Sequence, residues 1–391
     1  MHRIFFSAAG ATLLAAAANA TAAEPIEELV VTTTVTGQEL QPTRVFDEED
    51  LLVRRMPTIG ETLDLELGIN SSYFGPASSR PIIRGLGGSR VLMLNDLVST
   101  LDVSDVSADH AVTIEPVLAR GIEVIRGPSA LLYGSQAAGG VVNVLDGRVP
   151  NALPDETIDG AAEVRGDTAS SEQAFVGRLD AALGPFVLHL DGMTRETDDL
   201  EIAGFATADE SERSDEEQSG ILRNSASETD SYAAGLSWVF DNGFIGASVS
   251  QLENTYGLPG PEEEEEGEDE PALFPGPFLD MEQTRVDLLG ELRGAGLIET
   301  ARFAFGVNDY QHTETEPSGE VATLFENDAW QGRVDITHAE IAGFQGTVGL
   351  QIDDRDFSAV GQEAFVRPVQ TQSWGLFIAD KLAFDWGRAE F

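Results

Sequence analysis

Cysteine is absent from all 391 residues, so neither a disulfide framework nor a thiolate metal site can exist. Basic residues are scarce: 23 Lys and Arg stand against 68 Asp and Glu, a formal net charge of -45. That balance argues against nucleic acid or an anionic lipid surface as the main partner. It fits attraction of cations, or a strongly solvated, salt-adapted surface. Beyond the N-terminus no run approaches the ~18 unbroken apolar residues that a spanning helix needs. Residence in a membrane would therefore require a closed barrel, since only helices and barrels satisfy their backbone groups in lipid. What the chain has in quantity is 40 glycines and 17 prolines, a turn-rich composition, over a length that allows more than one domain.

Met1 to Arg3 form a short basic start, Ile4 to Ala18 an apolar, alanine-rich run, and small residues follow. Residues 1–23 read as a secretory signal peptide cleaved after Ala22 or Ala23, with an apolar core too short to span. Residues 33–150 mix short helices and strands. Thr58 with Glu61 three residues on has capping-box spacing, and Gly68 is the expected stop. Pro81–Arg84 and Arg90–Leu94 read as strands around Gly85-Leu86-Gly87-Gly88, followed by a turn at Asn95-Asp96. Glu115-Pro116 opens a short helix; Ile122–Ile125 and Val141–Val144 are strands. The glycine run has neither the lysine nor the following helix of a phosphate loop.

From residue 158 to 391 the grammar changes to stretches of roughly ten residues that alternate apolar with polar or small. Ala301, Phe303, Phe305 and Val307 share one face, opposite Thr300, Arg302, Ala304 and Asn308. Tyr232, Ala234, Leu236, Trp238 and Phe240 do the same, as do Phe344, Val348, Leu350 and Ile352. Similar stretches lie near 172–182, 186–195, 244–253, 284–293, 330–337 and 373–383. Asp241-Asn242-Gly243 is a tight hairpin turn. A soluble β-sandwich would alternate too, but strands near ten residues, with short turns on one side and long loops (196–229, 254–282) on the other, favour a membrane barrel. The expected fold is an α+β domain followed by an antiparallel transmembrane β-barrel, incomplete in this chain, which stops inside another strand at Ala389-Glu390-Phe391. Such a fragment alone, with unpaired strand edges, is not expected to insert or function.

The first domain resembles the plug of TonB-dependent outer-membrane receptors. The motifs are Arg84-Gly85, Ile122-Glu123-Val124-Ile125-Arg126-Gly127-Pro128, Leu132-Tyr133-Gly134 and Gly139-Gly140-Val141-Val142-Asn143-Val144, in that family's order and spacing. Within residues 24–32, Glu28-Leu29-Val30-Val31-Thr32 resembles the TonB box, which is gripped by strand addition. Arg84 and Arg126 either pair with barrel carboxylates or satisfy turns within the plug. The resemblance implies a non-enzymatic importer in the outer membrane of a Gram-negative bacterium, with the TonB complex, outer-membrane lipid and a scarce nutrient as partners.

A finer resemblance, to the zinc-uptake receptors of that family, rests on four stretches. They are Val106-Ser107-Ala108-Asp109-His110-Ala111 with Ile114-Glu115-Pro116, Tyr256-Gly257-Leu258-Pro259-Gly260, Met281 to Arg285, and Asp356 to Phe365. It implies Asp109, His110 and Glu363 as ligands of a divalent cation, zinc first, that is cargo rather than a required cofactor. It also implies a barrel histidine beyond residue 391. Imidazole nitrogen and carboxylate oxygen are ordinary zinc ligands. The loop that is histidine-rich in those receptors is here Glu262, Glu263, Glu264, Glu265, Glu266, Glu268, Asp269 and Glu270. Carboxylates alone suit harder cations; the run is either a cation-attracting mouth or a solvated surface loop. His189 and His338 fall in strand-like stretches, where a wall position is expected. His312 is placed at the polar start of a loop after Tyr310, free to bind metal at the mouth but with no partner nearby in sequence. The rival cargoes are a ferric siderophore or haem; the rival class is a surface β-rich binding protein that transports nothing.

Overall fold

The computed structural model describes residues 44–213, 217–260, 276–294, 296–362, 364, 367–384 and 387–390. The signal peptide, the Glu28–Thr32 segment, the acidic run Glu262–Glu270 and Glu363 lie outside the described residues.

The N-terminal domain is a five-stranded sheet of order β1-β6-β7-β4-β5, built from β1 (Arg44–Phe46), β4 (Val91–Asn95), β5 (Val98–Ser99), β6 (Gly121–Ile125) and β7 (Gly140–Leu145). Only the β4–β7 pair is parallel. Two short helices, α1 (Glu48–Leu52) and α2 (Ile59–Leu63), and a small hairpin of β2 (Ile69–Ser71) with β3 (Pro81–Ile83) complete it. Phe46, Leu51, Ile59, Leu63, Ile83, Ile122 and Val124 form its fully buried core. Burying each such side chain is worth roughly 1.5–3 kcal/mol, enough together to hold a sheet of strands this short.

The expected cap on α2 is present in both directions. Thr58 Oγ1 accepts from the Glu61 amide at 3.3 Å and donates to the Glu61 carboxylate at 2.9 Å. The helix ends at Leu63, short of the expected stop, because the chain turns through 3-10-type bonds before reaching Gly68 at φ +80°. Asn95-Asp96 does turn the chain: Asp96 and Leu97 both take positive φ, joining β4 to β5. The strand expected to reach Arg84 ends at Ile83, where Arg84 adopts φ 52°.

The rest is one antiparallel sheet of eleven strands. In chain order these are β8 (Ile158–Gly166), β9 (Gln173–Leu183), β10 (Phe186–Thr197), β13 (Ser227–Phe240), β14 (Gly243–Gly257), β15 (Phe278–Arg293), β16 (Ile298–Thr315), β17 (Val321–Ile341), β18 (Phe344–Gly361), β19 (Val369–Phe384) and β20 (Gly387–Glu390). A two-residue pair, β11 (Leu200–Glu201) with β12 (Ile221–Leu222), decorates the loop between β10 and β13. Every neighbour in the large sheet is its neighbour in sequence, so the sandwich alternative, which needs two sheets, does not hold. Among the described residues no helix is long and apolar enough to cross a membrane, which says nothing against crossing by strands.

The outward row is apolar only over part of each strand. On β16 and β17, Phe303, Val307, Trp330, Val334 and Ile336 face out, and beyond them, toward the long loops, the same row reads Asp309, Gln311, Asp328 and Glu326. On β14 and β15 the row changes from Ile245, Val249, Val286 and Leu288 to Glu253, Glu282 and Asp280. Aromatic Phe186, Trp238 and Phe344 stand exposed near the short turns. This is a lipid-facing belt with polar strand extensions. The strands reach 14 to 21 residues from β13 to β18, longer than the alternation suggested, because pairing continues where the outer face has become polar. At the short-turn end Ala342 and Gly343 both take positive φ between β17 and β18, the geometry of a two-residue hairpin.

Candidate metal centre

The inner row of the sheet is polar, and it grips the N-terminal domain in two ways. On the β8–β10 side the grip is ionic. Arg195 makes a two-pronged pair with Glu115 at 2.8 and 3.1 Å, Arg148 does the same with Asp191 at 3.0 and 3.2 Å, and Arg55 reaches Glu163 at 3.3 Å. Arg120 pairs with Asp180. His189 is buried between Asp180 (2.7 Å) and Asp191 (3.0 Å), an inner-wall position as expected. His338 also sits on a strand, paired with Asp380 at 2.8 Å.

On the β15–β18 side the grip is on backbone. Arg285 donates to the carbonyl of Ser99, Gln283 to Thr100, Asn308 and Asn327 both to Leu101, and Arg355 to Asp102. These bonds hold the segment that leads into residues 103–113. Asp102 then organises that loop from within, accepting from Ser104 and from both the amide and hydroxyl of Thr113. Tyr256 of β14 pins its far side: its hydroxyl donates to the Asp109 carbonyl (2.8 Å) and accepts from the Ala111 amide (2.9 Å).

His110, between those two bonds, is completely buried. Its Nδ1 lies 3.0 Å from the Val103 carbonyl, which can only accept, so Nδ1 carries a proton. Its Nε2 lies 3.0 Å from Glu314 Oε1. His312 shares the inner row of β16 with Glu314, two residues apart, and its Nε2 is 3.7 Å from the same carboxylate oxygen. That Nε2 is buried and has no hydrogen-bond partner. One ligand atom from each of His110, His312 and Glu314 lies within 4.8 Å of the others. Val103, Ala111, Leu279, Met281, Phe325 and Ala359 wall the group off. Phe325 stacks on His312 at 4.5 Å and meets His110 edge-on at 4.9 Å.

The three groups stand beside the polar outer positions Gln311 and Thr313, beyond the lipid-facing belt. Burial raises the Glu314 carboxyl, but the hydrogen bond from His110 and the nearby His312 imidazole outweigh it and bring it down to about 2. Burial likewise opposes the charge on His110, yet the bonds to Glu314 and Val103 leave its pKa raised. His312 is lowered, by burial first and then by the charge of His110, so it is the neutral member. The result is a neutral imidazole and an ionised carboxylate facing a protonated His110, which becomes the third ligand of a divalent cation only by releasing its Nε2 proton.

The site residues inferred from sequence are placed as follows. His110 is in the cluster. Asp109 is adjacent in the chain, but its carboxylate accepts from Ser107 and is not among the three converging ligands. His312 is not at the start of a loop; it lies inside β16, which runs on to Thr315. Arg126 donates to the Leu67 carbonyl (2.8 Å) and approaches Glu66 at 3.4 Å, bonds within the N-terminal domain, while Arg84 is exposed at its turn. The arginines that reach between domain and sheet include Arg55, Arg120, Arg148, Arg195, Arg285 and Arg355, together with Arg333, which donates to the Leu132 carbonyl at 3.0 Å. None was distinguished by a local motif. The one available signal for the barrel ligands was the His312-x-Glu314 spacing, which puts both side chains on one face of a strand.

Residues 37–141 match the family described as "TonB-dependent Receptor Plug Domain". Among solved structures the chain is similar to the copper transporter OprC, at 15% identity and TM-score 0.69, covering 89% of this chain and 53% of that one. It is similar to the siderophore receptor PirA from Pseudomonas aeruginosa, at 16% identity, TM-score 0.62, and coverage of 90% and 56%. It is also similar to the Serratia marcescens hemophore receptor HasR, solved as a double mutant with its hemophore HasA and heme, at 14% identity, TM-score 0.67, and coverage of 89% and 50%. The chain thus spans about half the length of the structures it matches, and identities this low speak to fold. Residues 37–141 thus match the plug domain of TonB-dependent receptors, and the chain as a whole shares the fold of the matched structures, whose strands form an antiparallel barrel.

Proposed function

We propose that the protein is a TonB-dependent outer-membrane importer of a bare divalent cation, zinc first, bound between plug and barrel. The observation that carries this reading is the convergence of His110 from the plug with His312 and Glu314 from β16, with a buried, unpartnered Nε2 among them. Two imidazoles and one carboxylate are common zinc ligands, and three protein ligands leave a fourth position for water. Copper(II) would also accept this set, and the order of affinities for divalent ions would favour it.

The stacking of Phe325 on His312 and the complete burial of His110 favour an ion over a siderophore or haem. A site split between two domains also suits release. TonB, gripping residues 28–32, would draw the plug away, and His110 would leave while His312 and Glu314 stay on the wall. Import needs no bond-breaking chemistry. Glu363 and the acidic run 262–270 remain candidates for capture at the mouth, the latter by attracting cations through its charge.

The test is metal binding by the purified full-length receptor, with zinc and copper in competition against a chelator. His110→Ala, His312→Ala and Glu314→Gln should each weaken zinc binding by at least ~10-fold, by loss of one ligand. Growth under chelation, rescued by zinc, copper, iron or haem, reports the cargo. Unchanged zinc affinity in all three variants would overturn the site, and rescue by haem or iron alone would overturn the cargo.

A further inference from the structure

We infer that Tyr310 is the positioning residue of this centre, its hydroxyl oxygen accepting a hydrogen bond from His312 Nδ1–H so that the Nε2 lone pair faces the ion. The inference rests on the metal-binding reading above. Tyr310 and His312 are two residues apart on the inner row of β16, so strand geometry itself brings them together. The Tyr310 hydroxyl lies 2.9 Å from His312 Nδ1, with the rings nearly perpendicular at 77°. Both side chains are buried to within 1%. Phe325, stacked at 15° on the opposite strand, keeps the imidazole from turning over.

A neutral imidazole carries its proton on one nitrogen only. With the proton on Nε2, the ring blocks the ion and points an N–H at Glu314 from 3.7 Å, too far for a hydrogen bond. With the proton on Nδ1, the ring donates to the tyrosine oxygen and leaves Nε2 bare. The unpartnered state of Nε2 marks it as the atom awaiting a partner. His110 is held by the same logic through a carbonyl, which can only accept. The hydroxyl on His312 differs because it can also donate. It keeps the ring in place without the ion and switches to acceptor when the ion arrives. Such outer partners of metal-bound histidines are generally worth 10–100-fold in affinity.

The experiment is zinc titration of full-length wild type and Tyr310→Phe, with the histidine tautomers read by nitrogen-15 NMR. Phenylalanine keeps the ring in its apolar surroundings and removes only the oxygen. Zinc affinity should fall by roughly 10–100-fold. In zinc-loaded wild type His312 should carry its proton on Nδ1, and in metal-free Tyr310→Phe both tautomers should be populated. Replacing Tyr310 by 3,5-difluorotyrosine, a weaker acceptor of the same shape, should give a smaller loss in the same direction; it also serves if the phenylalanine variant misfolds. Affinity within about 2-fold of wild type in both variants, with the His312 tautomers unchanged, would overturn the role of Tyr310. His312→Ala separates the two failures. If it also leaves zinc binding intact, the site itself is wrong; if it abolishes binding while the Tyr310 variants do not, only this inference falls.

Discussion

Replacing Arg195 by methionine should loosen the plug by an amount that distinguishes a buried latch from surface decoration. Arg195 makes two charge-assisted bonds to Glu115 and a third, at 3.1 Å, to Thr229. The two charged side chains are only 9% and 8% exposed. An exposed pair would be worth about 0–1 kcal/mol. Removing one partner of a buried pair costs about 3–5 kcal/mol, because the other charge stays desolvated and alone. At ~1.4 kcal/mol per tenfold, local opening of the plug around Glu115–Leu118 should become at least ~100-fold more frequent.

The absence of native cysteine makes this measurable. Ala119, 1% exposed beside that segment, can be changed to cysteine as the sole thiol of these 391 residues, and its labelling rate reports opening. Arg195→Met should raise the rate by roughly two orders of magnitude, and Glu115→Gln should act in the same direction. The double variant should recover most of the loss, since no charge is then stranded. Rates within ~3-fold of the parent, or strictly additive effects, would refute the latch.

Three further outcomes follow from the same packing. Tyr256→Phe strands the Asp109 carbonyl and the Ala111 amide at a buried seam, which costs about 1–3 kcal/mol; faster exchange of the Ala111 amide would show it, and unchanged exchange would count against the tyrosine's role. A Cβ at Gly235 would stand 1.8 Å from the Arg148 carbonyl, so Gly235→Val should prevent the plug from seating and raise labelling at Ala119→Cys; a normally seated plug would contradict this register. Burial raises the Glu61 carboxyl above its ordinary 4.5, an effect only partly offset by the Thr58 hydrogen bond. The folded plug therefore holds that proton more tightly than the unfolded chain, and stability is gained as pH falls through the raised value toward 4.5. Glu61→Gln should accordingly be more stable than wild type at pH 7, with the gap closing on acidification; a gap independent of pH would refute the assignment.

Which features could be read from sequence follows from what imposed each pattern. Thr58 and Glu61 were legible because a capping box is complete within four residues. Tyr232 to Phe240 and Phe344 to Ile352 were legible because lipid imposes an apolar residue at every second position. That same cause explains why the alternation puts His312 at a loop while the structure puts it inside β16. Apolar alternation records how far the lipid reaches, not how far the strand runs. On β16 the outer row turns polar at Asp309 while pairing with β15 and β17 continues to Thr315. Past that point the inner row of Asn308, Tyr310, His312 and Glu314 is the only periodic signal, and it is polar on a polar background. Even read correctly, it would not have pointed to His110, about 200 residues earlier, since no local rule joins a plug loop to a barrel strand. The junction depends on Leu101 being held by Asn308 and Asn327, and on Tyr256 bridging Asp109 and Ala111. Each of those contacts crosses between plug and wall. The candidate site is thus a product of docking, since His110 lies 3.0 Å from Glu314 only because those contacts seat its loop against the wall.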